Sequence, residues 1–551
     1  MSVRVADYAR SGGRWLAAGA LCWLAPVQPA LAAATAEDRA RCEALTDTLN
    51  LTITGARIVA EDGGTPAYCY AVGTISPGIR YHLQLPLPSE WNGRFLNWGD
   101  GGKDGDLDFA DHRLAEGYAV ANSNTGHDNG AEPGASFAFR NRQAEIDFGY
   151  RAVHLTVNAA KTLIEAYYGR PADYAYHEGC STGGRQGLME AQRFPADFDG
   201  IVAGAPVSYY QEVSGAIVWF SQLLFADDFA GNLAFDKDGD GVQESLTKLE
   251  TLSSVVTAKC DTIDGVEDGV IDDPLQCDVD PRSDLAPYMC DGDVNGDACF
   301  TTRQVENIAA IYEGPKDSAG RVIYKGMPPG SELAWRFVPH AGNDMQPFFA
   351  SRDHINYLFY EQDPGVAPAD LADTSQSLRK DGPLPEWAWW EWDVQDLGDD
   401  SADFMRAITN ATDPNLRRFL LDEGGKLILW HGWADANAGP EPILDYYEEA
   451  VDATFDGDVD AAREHARLFM APGVYHCGGG PGPDEWDRLA PMIEWVEQGR
   501  APDSVVARRM SEGQVENERP VCAHPQAAEY TGPAGGQNDP ANWVAGNFTC
   551  R

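Results

Sequence analysis

Basic residues are scarce in this sequence. Its 551 residues include 41 Lys and Arg against 86 Asp and Glu, which gives a formal net charge of −45. A surface this acidic repels the phosphates of nucleic acids and the head groups of anionic membranes. We therefore expect a protein that binds neither nucleic acid nor a membrane, with a monomer favoured over an oligomer.

Long hydrophobic runs are also lacking. Apart from a marginal run at the N-terminus, no stretch reaches the ~18 to 20 apolar residues that cross a bilayer. That N-terminus has three arginines, then an apolar segment from Trp15 to about Pro26, then Ala30-Leu31-Ala32, the order found in export signals. We predict that residues 1–33 are a removed signal peptide, with a hydrophobic helix retained in the fold as the alternative. The mature protein is then secreted or periplasmic.

The cysteine count fits export. One of the 11 cysteines, Cys22, lies in the predicted signal, and an even number remains for pairing in an oxidising compartment. Spacing suggests three local disulfides: Cys260 with Cys277, Cys290 with Cys299, and Cys522 with Cys550. Cys180 and Cys477 are then a long-range couple, although spacing leaves the connectivity itself open.

Strand and helix patterns alternate on both sides of a long middle segment, which predicts an α/β fold with a mostly parallel sheet. Strand patterns occupy residues 81–85, 94–98, 173–177, 426–430 and 467–470. Apolar positions from Ala152 to Ala166 recur at helical spacing, and Gly169 should end that helix.

The middle segment, residues 207–412, has a different composition. It is rich in Asp, Gly and Pro and contains four of the locally paired cysteines. It also contains Trp219 and Trp335 and the cluster Trp387, Trp389, Trp390 and Trp392, and we expect most of this cluster to pack in the core. We predict that this segment is one inserted lid domain between the two parts of the main domain, residues 34–206 and 413–551.

A serine flanked by glycines follows the strand pattern at 173–177. Gly179-Cys180-Ser181-Thr182-Gly183 lies between a strand and a helix, which is the context of the nucleophile in α/β-hydrolases. In that fold an acid and then a histidine follow on loops after later strands. Asp435 and His476 occupy such positions. We predict Ser181 as nucleophile, His476 as general base and Asp435 as the residue that orients it; a capping aspartate and a structural histidine are the alternatives.

Two further features bear on this site. A disulfide between Cys180 and Cys477 requires Cα atoms within about 4.4 to 6.8 Å, so it would make Ser181 and His476 neighbours. An oxyanion needs backbone N–H donors, and we predict those of Thr182 and Gly102. The alternative for the Gly-rich turn at 99–102 is a plain tight turn.

Three motifs resemble the tannase and feruloyl esterase family: GCSTGGRQ at 179–186, YHCGGG at 475–480 and WNGRF at 91–95. The resemblance extends over nearly the whole mature chain. It implies an α/β-hydrolase fold and a serine carboxylic-ester hydrolase that cleaves small esters of aromatic, phenolic acids, such as feruloyl or galloyl esters, through an acyl-enzyme. It also implies Asp435 as the acid, a lid over the aromatic acyl group and structural calcium (Ca²⁺) in that lid.

Two alternatives remain. One is an enzyme for terephthalate monoesters, which would need a cation in the lid for the free carboxylate of the substrate. The other is a non-catalytic, calcium-dependent binding protein on a hydrolase scaffold, although such a protein has no need for Ser181, Asp435 and His476 together.

The acidic run at 260–270 suits calcium on its own chemistry, because it offers hard oxygen donors and glycines for tight turns. We expect ligands from the side chains of Asp261, Asp264 and Asp268 and the backbone oxygens of Val266 and Val270; a solvated acidic turn is the alternative. The acidic loops 236–241 and 291–296 resemble the start of an EF-hand loop. We do not predict calcium there, since the first has Thr247 where a bidentate Glu is expected.

Overall fold

The computed structural model describes residues 33–132, 134–343, 349–360, 392–398 and 400–551. Residues 1–32 of the predicted signal peptide lie outside the described residues, as do Trp387, Trp389 and Trp390. The strands are β1 (Thr52–Val59), β2 (Tyr68–Ile75), β3 (Ile79–Pro86), β4 (Arg94–Trp98), β5 (Ala119–Ser123), β6 (Tyr174–Cys180), β7 (Gly200–Gly204), β8 (Lys426–Gly432), β9 (Ala466–Ala471), β10 (Ser504–Ser511), β11 (Gln514–Cys522), β12 (Ala528–Tyr530) and β13 (Phe548–Cys550).

The α-helices alternate with these strands or fill the middle segment. They are α1 (Ala36–Glu43), α2 (Asp111–Ala115), α3 (Arg142–Ile146), α4 (Ala152–Tyr168), α5 (Thr182–Arg193), α6 (Tyr210–Phe229), α7 (Thr247–Cys260), α8 (Pro281–Asp284), α9 (Thr302–Glu313), α10 (Phe349–Tyr357), α11 (Asp400–Thr409), α12 (Glu441–Phe455), α13 (Val459–Arg463) and α14 (Ala490–Gln498).

Nine strands form the central sheet of the described residues, in the order β1-β2-β3-β5-β4-β6-β7-β8-β9. The pairs β1–β2, β2–β3 and β3–β5 are antiparallel. The pairs β5–β4, β4–β6, β6–β7, β7–β8 and β8–β9 are parallel. Strands β5, β7 and β9 are buried along their whole length, as expected for parallel strands covered on both faces. The five predicted strand segments all lie in this sheet.

Helices cover the two faces of the sheet. α4 and α5 contribute Val157, Leu163 and Leu188 to one core, and α14 contributes Met492 and Trp495 to the core on the other face. α4 ends as predicted, because Gly169 takes a left-handed φ of 76° and its N–H donates to the carbonyl of Glu165.

The middle of the chain leaves the sheet and returns to it. β7 and β8 are adjacent parallel strands, yet more than 200 residues separate them in sequence, with α6 to α11 between them. Part of this segment has its own core, which includes Phe220, Leu252 and Trp335. Trp335 and Trp392 are buried, and Trp392 is the one member of the predicted core cluster that lies within the described residues. The boundaries 207–412 stay a prediction.

Five disulfides link ten cysteines. The three pairs that the spacing suggests are bonded, Cys180 is bonded to Cys477, and the fifth bond joins Cys42 to Cys69. In the part of the chain that the structure describes, every helix is too short or too polar to cross a membrane.

A buried ion-pair cluster fixes β6 beneath the end that carries Ser181. The Arg113 guanidinium donates to both carboxylate oxygens of Glu178, at 3.0 and 3.1 Å, and also to Glu116 and Asp487. Arg113 is 5% exposed and Glu178 is 7% exposed. The cluster therefore ties α2 and the segment before α14 to β6, the strand that precedes Ser181.

We predict that Arg113→Met lowers the free energy of unfolding by about 3–5 kcal/mol, because the Glu178 charge is then buried without its partner. Arg80→Met is the matched control, since Arg80 and Asp128 form an ion pair in which each side chain is about half exposed. The control should change the free energy by less than about 1 kcal/mol. Urea unfolding measures both, and equal losses would contradict the prediction.

Candidate active site

Ser181 lies on a sharp turn between β6 and α5. Its backbone has φ 62° and ψ −122°, a strained conformation for a residue with a side chain. A Cβ atom on Gly179 would lie 2.7 Å from the Gly183 carbonyl carbon, and one on Gly183 would lie 2.7 Å from the Gly99 carbonyl carbon. A side chain at either position would clash with the neighbouring backbone, which explains why the G-x-S-x-G pattern has glycine at both positions.

The three predicted side chains meet at the carboxyl ends of the parallel strands. His476 Nε2 lies 2.8 Å from Ser181 Oγ, and His476 Nδ1 lies 2.7 Å from Asp435 Oδ2. A carboxylate only accepts hydrogen bonds, so Nδ1 carries the proton and Nε2 is left to accept from the serine hydroxyl. Asp435 is fully buried, whereas the side chain of His476 is 16% exposed.

Asp435 is held as a carboxylate. Burial by itself raises the pKa of Asp435, but His476 and His431 outweigh burial and lower the pKa well below its ordinary value. Oδ1 also accepts from the backbone N–H groups of Asn437 and Ala438, at 2.7 and 3.1 Å. The side chain is therefore fixed and charged, as the orienting role requires.

His431 was missed by the sequence reasoning. It is buried at 1% exposure, and its Nε2 lies 3.0 Å from Asp435 Oδ2. The only available signal was its place near the end of β8, four residues before Asp435. A second histidine therefore faces the carboxylate that orients His476.

The Cys180–Cys477 disulfide lies directly beside these side chains. Its Cα atoms are 6.0 Å apart and its cysteines are 297 residues apart in sequence. Cys180 precedes Ser181, and Cys477 follows His476. The bond thus joins the loop of the nucleophile covalently to the loop of the base.

The structure also places the two residues predicted for the oxyanion. Thr182 Oγ1 donates to the carbonyl of Gly102 at 2.7 Å, which brings Gly102 beside the residue after the nucleophile. Gly102 has φ 63°, in the left-handed region that favours glycine. Its backbone thus lies at the N-terminus of α5, where N–H groups favour negative charge.

The predicted calcium residues surround a buried arginine. Arg519 forms ion pairs with Asp264, Asp268 and Asp272 and is 3% exposed. Asp261 accepts from the N–H groups of Asp268 and Gly269 instead. Side-chain donor atoms within 4.8 Å of one another are found among the described residues in three groups, none of which includes Asp261, Asp264 or Asp268: His154, Glu190 and Asp197; Asp100, Asp104 and Asp106; and Asp236, Asp238 and Asp240.

Comparisons with known proteins identify related sequences. The sequence profile described as "Tannase and feruloyl esterase" matches residues 65–543. Mono(2-hydroxyethyl) terephthalate hydrolase of Piscinibacter sakaiensis is 32% identical over 542 residues, covering 88% of this chain and 86% of that protein. "Probable feruloyl esterase B-1" of Aspergillus oryzae is 29% identical over 497 residues, covering 85% of this chain and 82% of that protein.

The fold agrees as well. The crystal structure of feruloyl esterase B from Aspergillus oryzae superposes with a TM-score of 0.75 at 25% identity, covering 93% of this chain and all of that one. The predicted family and the predicted α/β-hydrolase fold are both confirmed. The chain belongs to the tannase and feruloyl esterase family of carboxylic-ester hydrolases.

Proposed function

We propose that the protein is a serine esterase that cleaves esters of aromatic, phenolic acids through a covalent acyl-enzyme. The observation that carries this proposal is the continuous line from Asp435 through His476 to Ser181, at 2.7 and 2.8 Å. Both distances lie within the range for proton transfer. A serine so aligned with a base and an oriented acid is the arrangement that activates a hydroxyl for acyl transfer.

The reaction has two halves. In the first, His476 Nε2 takes the proton of Ser181 as Oγ attacks the ester carbonyl, and His476 then returns that proton to the leaving alcohol. The C–O bond to the alcohol breaks, and the acid remains on Ser181. In the second half, water attacks the acyl group as His476 takes a proton from the water. His476 then returns that proton to Ser181 Oγ as the bond between Oγ and the acyl carbon breaks, and the free acid leaves. Asp435 stabilises the charged imidazole in both halves.

Backbone donors stabilise the tetrahedral intermediate in this proposal. The N–H groups of Thr182 and Gly102 are the two candidates, because the Thr182 side chain holds these residues together. Such donors contribute about 3 to 4 kcal/mol each when they are aimed at the developing oxyanion.

The relatives support an aromatic acyl group. Feruloyl esterases predominate among the similar proteins, which favours phenolic acid esters. A second candidate activity is the hydrolysis of terephthalate monoesters, which the 32% identical hydrolase of Piscinibacter sakaiensis favours. Both activities need the same serine chemistry. They differ in how the pocket binds the end of the acyl group that lies away from the ester bond.

We also infer a structural calcium ion in the predicted lid. The loop that holds Asp261, Asp264 and Asp268 is closed by the Cys260–Cys277 disulfide and turns at Gly265 and Gly269, both with positive φ. Asp264, Asp268 and Asp272 bring three carboxylates to the single guanidinium of Arg519. The three carboxylates thus outnumber the one guanidinium.

The backbone of the same loop offers further donors. Among the described residues, no N–H or O–H group donates to the carbonyl oxygens of Val266 and Val270. Carboxylate and carbonyl oxygens are the ligands that calcium prefers, and the ion would neutralise the remaining negative charge. We assign the ligand role to Asp261, Asp264, Val266, Asp268 and Val270.

Secretion or export to the periplasm is part of the proposal. Five disulfides need an oxidising compartment for their formation. We infer that such a compartment is where the enzyme meets its small aromatic substrate.

The serine mechanism has a direct test. Ser181→Ala should lower kcat on the order of 10⁶-fold, and Asp435→Asn on the order of 10⁴-fold, because the latter permits the wrong histidine tautomer. A fluorophosphonate probe should label the wild-type protein at Ser181 and leave Ser181→Ala unlabelled. Folded wild-type protein that takes up no label would support the non-catalytic calcium-dependent binding protein instead.

The acyl group is tested with a substrate panel. We expect kcat/KM for methyl ferulate or a gallate ester to exceed kcat/KM for mono(2-hydroxyethyl) terephthalate by at least about tenfold, a difference of about 1.4 kcal/mol in transition-state binding. Hydrolysis of the terephthalate monoester alone would overturn the phenolic preference and leave the serine mechanism standing.

The Cys180–Cys477 bond should matter for both stability and catalysis. Replacing both cysteines with alanine should lower the free energy of unfolding by about 2–5 kcal/mol. It should also lower kcat by about 10²-fold, because a misplacement of 1 Å is enough to break the Ser181–His476 alignment.

The matched control removes the Cys42–Cys69 bond, which joins α1 to β2 on the antiparallel side of the sheet. This control should lose stability but keep its kcat within a factor of about 2, because no reacting group moves. Ester hydrolysis and urea unfolding are measured on both variants. Equal kcat values for the two variants would contradict a role of the Cys180–Cys477 bond in catalytic alignment.

A further inference from the structure

The Gly-rich turn at 99–102 has little packing around its last two residues. A Cβ atom placed on Gly101 or on Gly102 would meet no other part of the chain within 4 Å. Glycine also restricts its own backbone less than other residues do. The hydrogen bond from Thr182 Oγ1 to the Gly102 carbonyl holds one side of the turn. The backbone N–H of Gly102 therefore needs a second anchor if it is to keep one direction.

The next residue along the chain supplies such an anchor. Lys103 is 8% exposed, and its ammonium group reaches the middle segment of the chain. Nζ donates to Tyr210 Oη of α6 at 2.9 Å and lies 3.3 Å from His354 Nδ1 of α10. Nζ also lies 4.6 Å from the centre of the Tyr210 ring, which is within the range of a cation–π contact. One side chain thus joins the turn to two helices.

The contact with His354 begins a buried chain of hydrogen bonds. Gln211 Nε2 donates to Thr409 Oγ1 at 2.8 Å and to the carbonyl of Leu358 at 3.0 Å. Gln211 Oε1 is therefore the atom that faces His354 Nε2, at 3.0 Å, and it accepts. His354 Nε2 then carries the proton, and Nδ1 accepts from Lys103. Gln211, His354 and Thr409 are all 0% exposed.

The electrostatics of the cluster agree with this direction. Burial, with the nearby charges of Lys103 and Arg185, lowers the pKa of His354 well below its ordinary value. His354 is thus neutral, as an acceptor from the ammonium group must be. Arg185 of α5 donates to the Thr409 carbonyl at 3.1 Å. The helix that begins after the nucleophile and the hydrogen-bond chain from Lys103 therefore meet at the same residue of the middle segment.

We propose that Lys103 is a positioning residue for the oxyanion site. By anchoring the turn to α6 and α10, it directs the backbone N–H of Gly102 at the negative charge that develops on the substrate. Lys103 acts through Gly102 and not on the substrate itself. The inference rests on the proposed serine esterase, and it makes the middle segment part of the catalytic machinery.

The first test is Lys103→Met, which keeps the length of the side chain and removes the ammonium group. It should lower kcat/KM by about 10- to 100-fold, because a donor without a fixed direction stabilises the oxyanion less. Lys161→Met is the matched control, since Lys161 Nζ donates to the carbonyl of Asp197 at 2.7 Å and joins α4 to the segment after α5. The control should stay within a factor of about 2. Urea unfolding shows that the folded variants are compared.

A tetrahedral adduct separates positioning from a general loss of structure. Phenylboronic acid forms such an adduct with a catalytic serine, whereas coniferyl alcohol has the ring of a feruloyl group and no carbonyl oxygen. In Lys103→Met the affinity for phenylboronic acid should fall by about the same factor as kcat/KM. The affinity for coniferyl alcohol should change by less than about twofold. Equal losses of affinity for both ligands would overturn the proposal.

A milder variant tests the other side of the contact. Tyr210→Phe keeps the ring and removes the hydroxyl, so the fold should be preserved and kcat/KM should fall by about three- to tenfold. In Lys103→Met/Tyr210→Phe the second change should add less than about twofold, because both changes break one contact. Losses that multiply would also overturn the proposal.

A fluorophosphonate probe keeps the failure of this inference apart from the failure of the proposed function. Wild-type protein that takes up no label would remove the esterase, and the role of Lys103 with it. Labelled wild-type protein beside a Lys103→Met variant whose kcat/KM lies within about twofold of it would remove the role of Lys103 alone.

Discussion

A covalent link joins two loops of the site. Four parallel strands, β6 to β9, present their carboxyl ends at the same edge of the sheet, and Ser181, Asp435 and His476 follow three of them. Strands β7 and β8 lie between β6 and β9, so the sheet does not pair the strands that precede the serine and the histidine. The bond between Cys180 and Cys477 joins their loops directly, beside a serine hydroxyl and an imidazole that lie 2.8 Å apart.

The sequence predicted those parts of the site that contacts within a short segment dictate. There is no room for a side chain at Gly179 or Gly183, so the five-residue pattern around Ser181 has a steric cause and can be recognised in the sequence. The strands and α4 were also predictable from short segments, because burial of one face imposes a periodic spacing of apolar residues. Asp435 and His476 needed only chain order in addition.

The contacts that the sequence did not predict are made by residues that come together only in the folded protein. His431 meets Asp435 because β8 buries it beside that carboxylate, and Arg519 reaches Asp264 and Asp268 from more than 250 residues away in sequence. Arg113 of α2 likewise pairs with Glu178 of β6. Each of these is a charge or ring placed against a carboxylate, which no periodicity in the sequence reports.

The acidic composition explains why such pairs are unevenly distributed. With about two carboxylates for every basic residue, the chain has cations for only some of its buried acidic groups. Arg519 pairs with the acidic loop that follows α7 and Arg113 pairs with Glu178 of β6, while Lys103 bonds Tyr210 of α6 and contacts His354 of α10. Since Lys103 adjoins Gly102, these contacts of one lysine tie the loop after β4 to the middle segment of the chain.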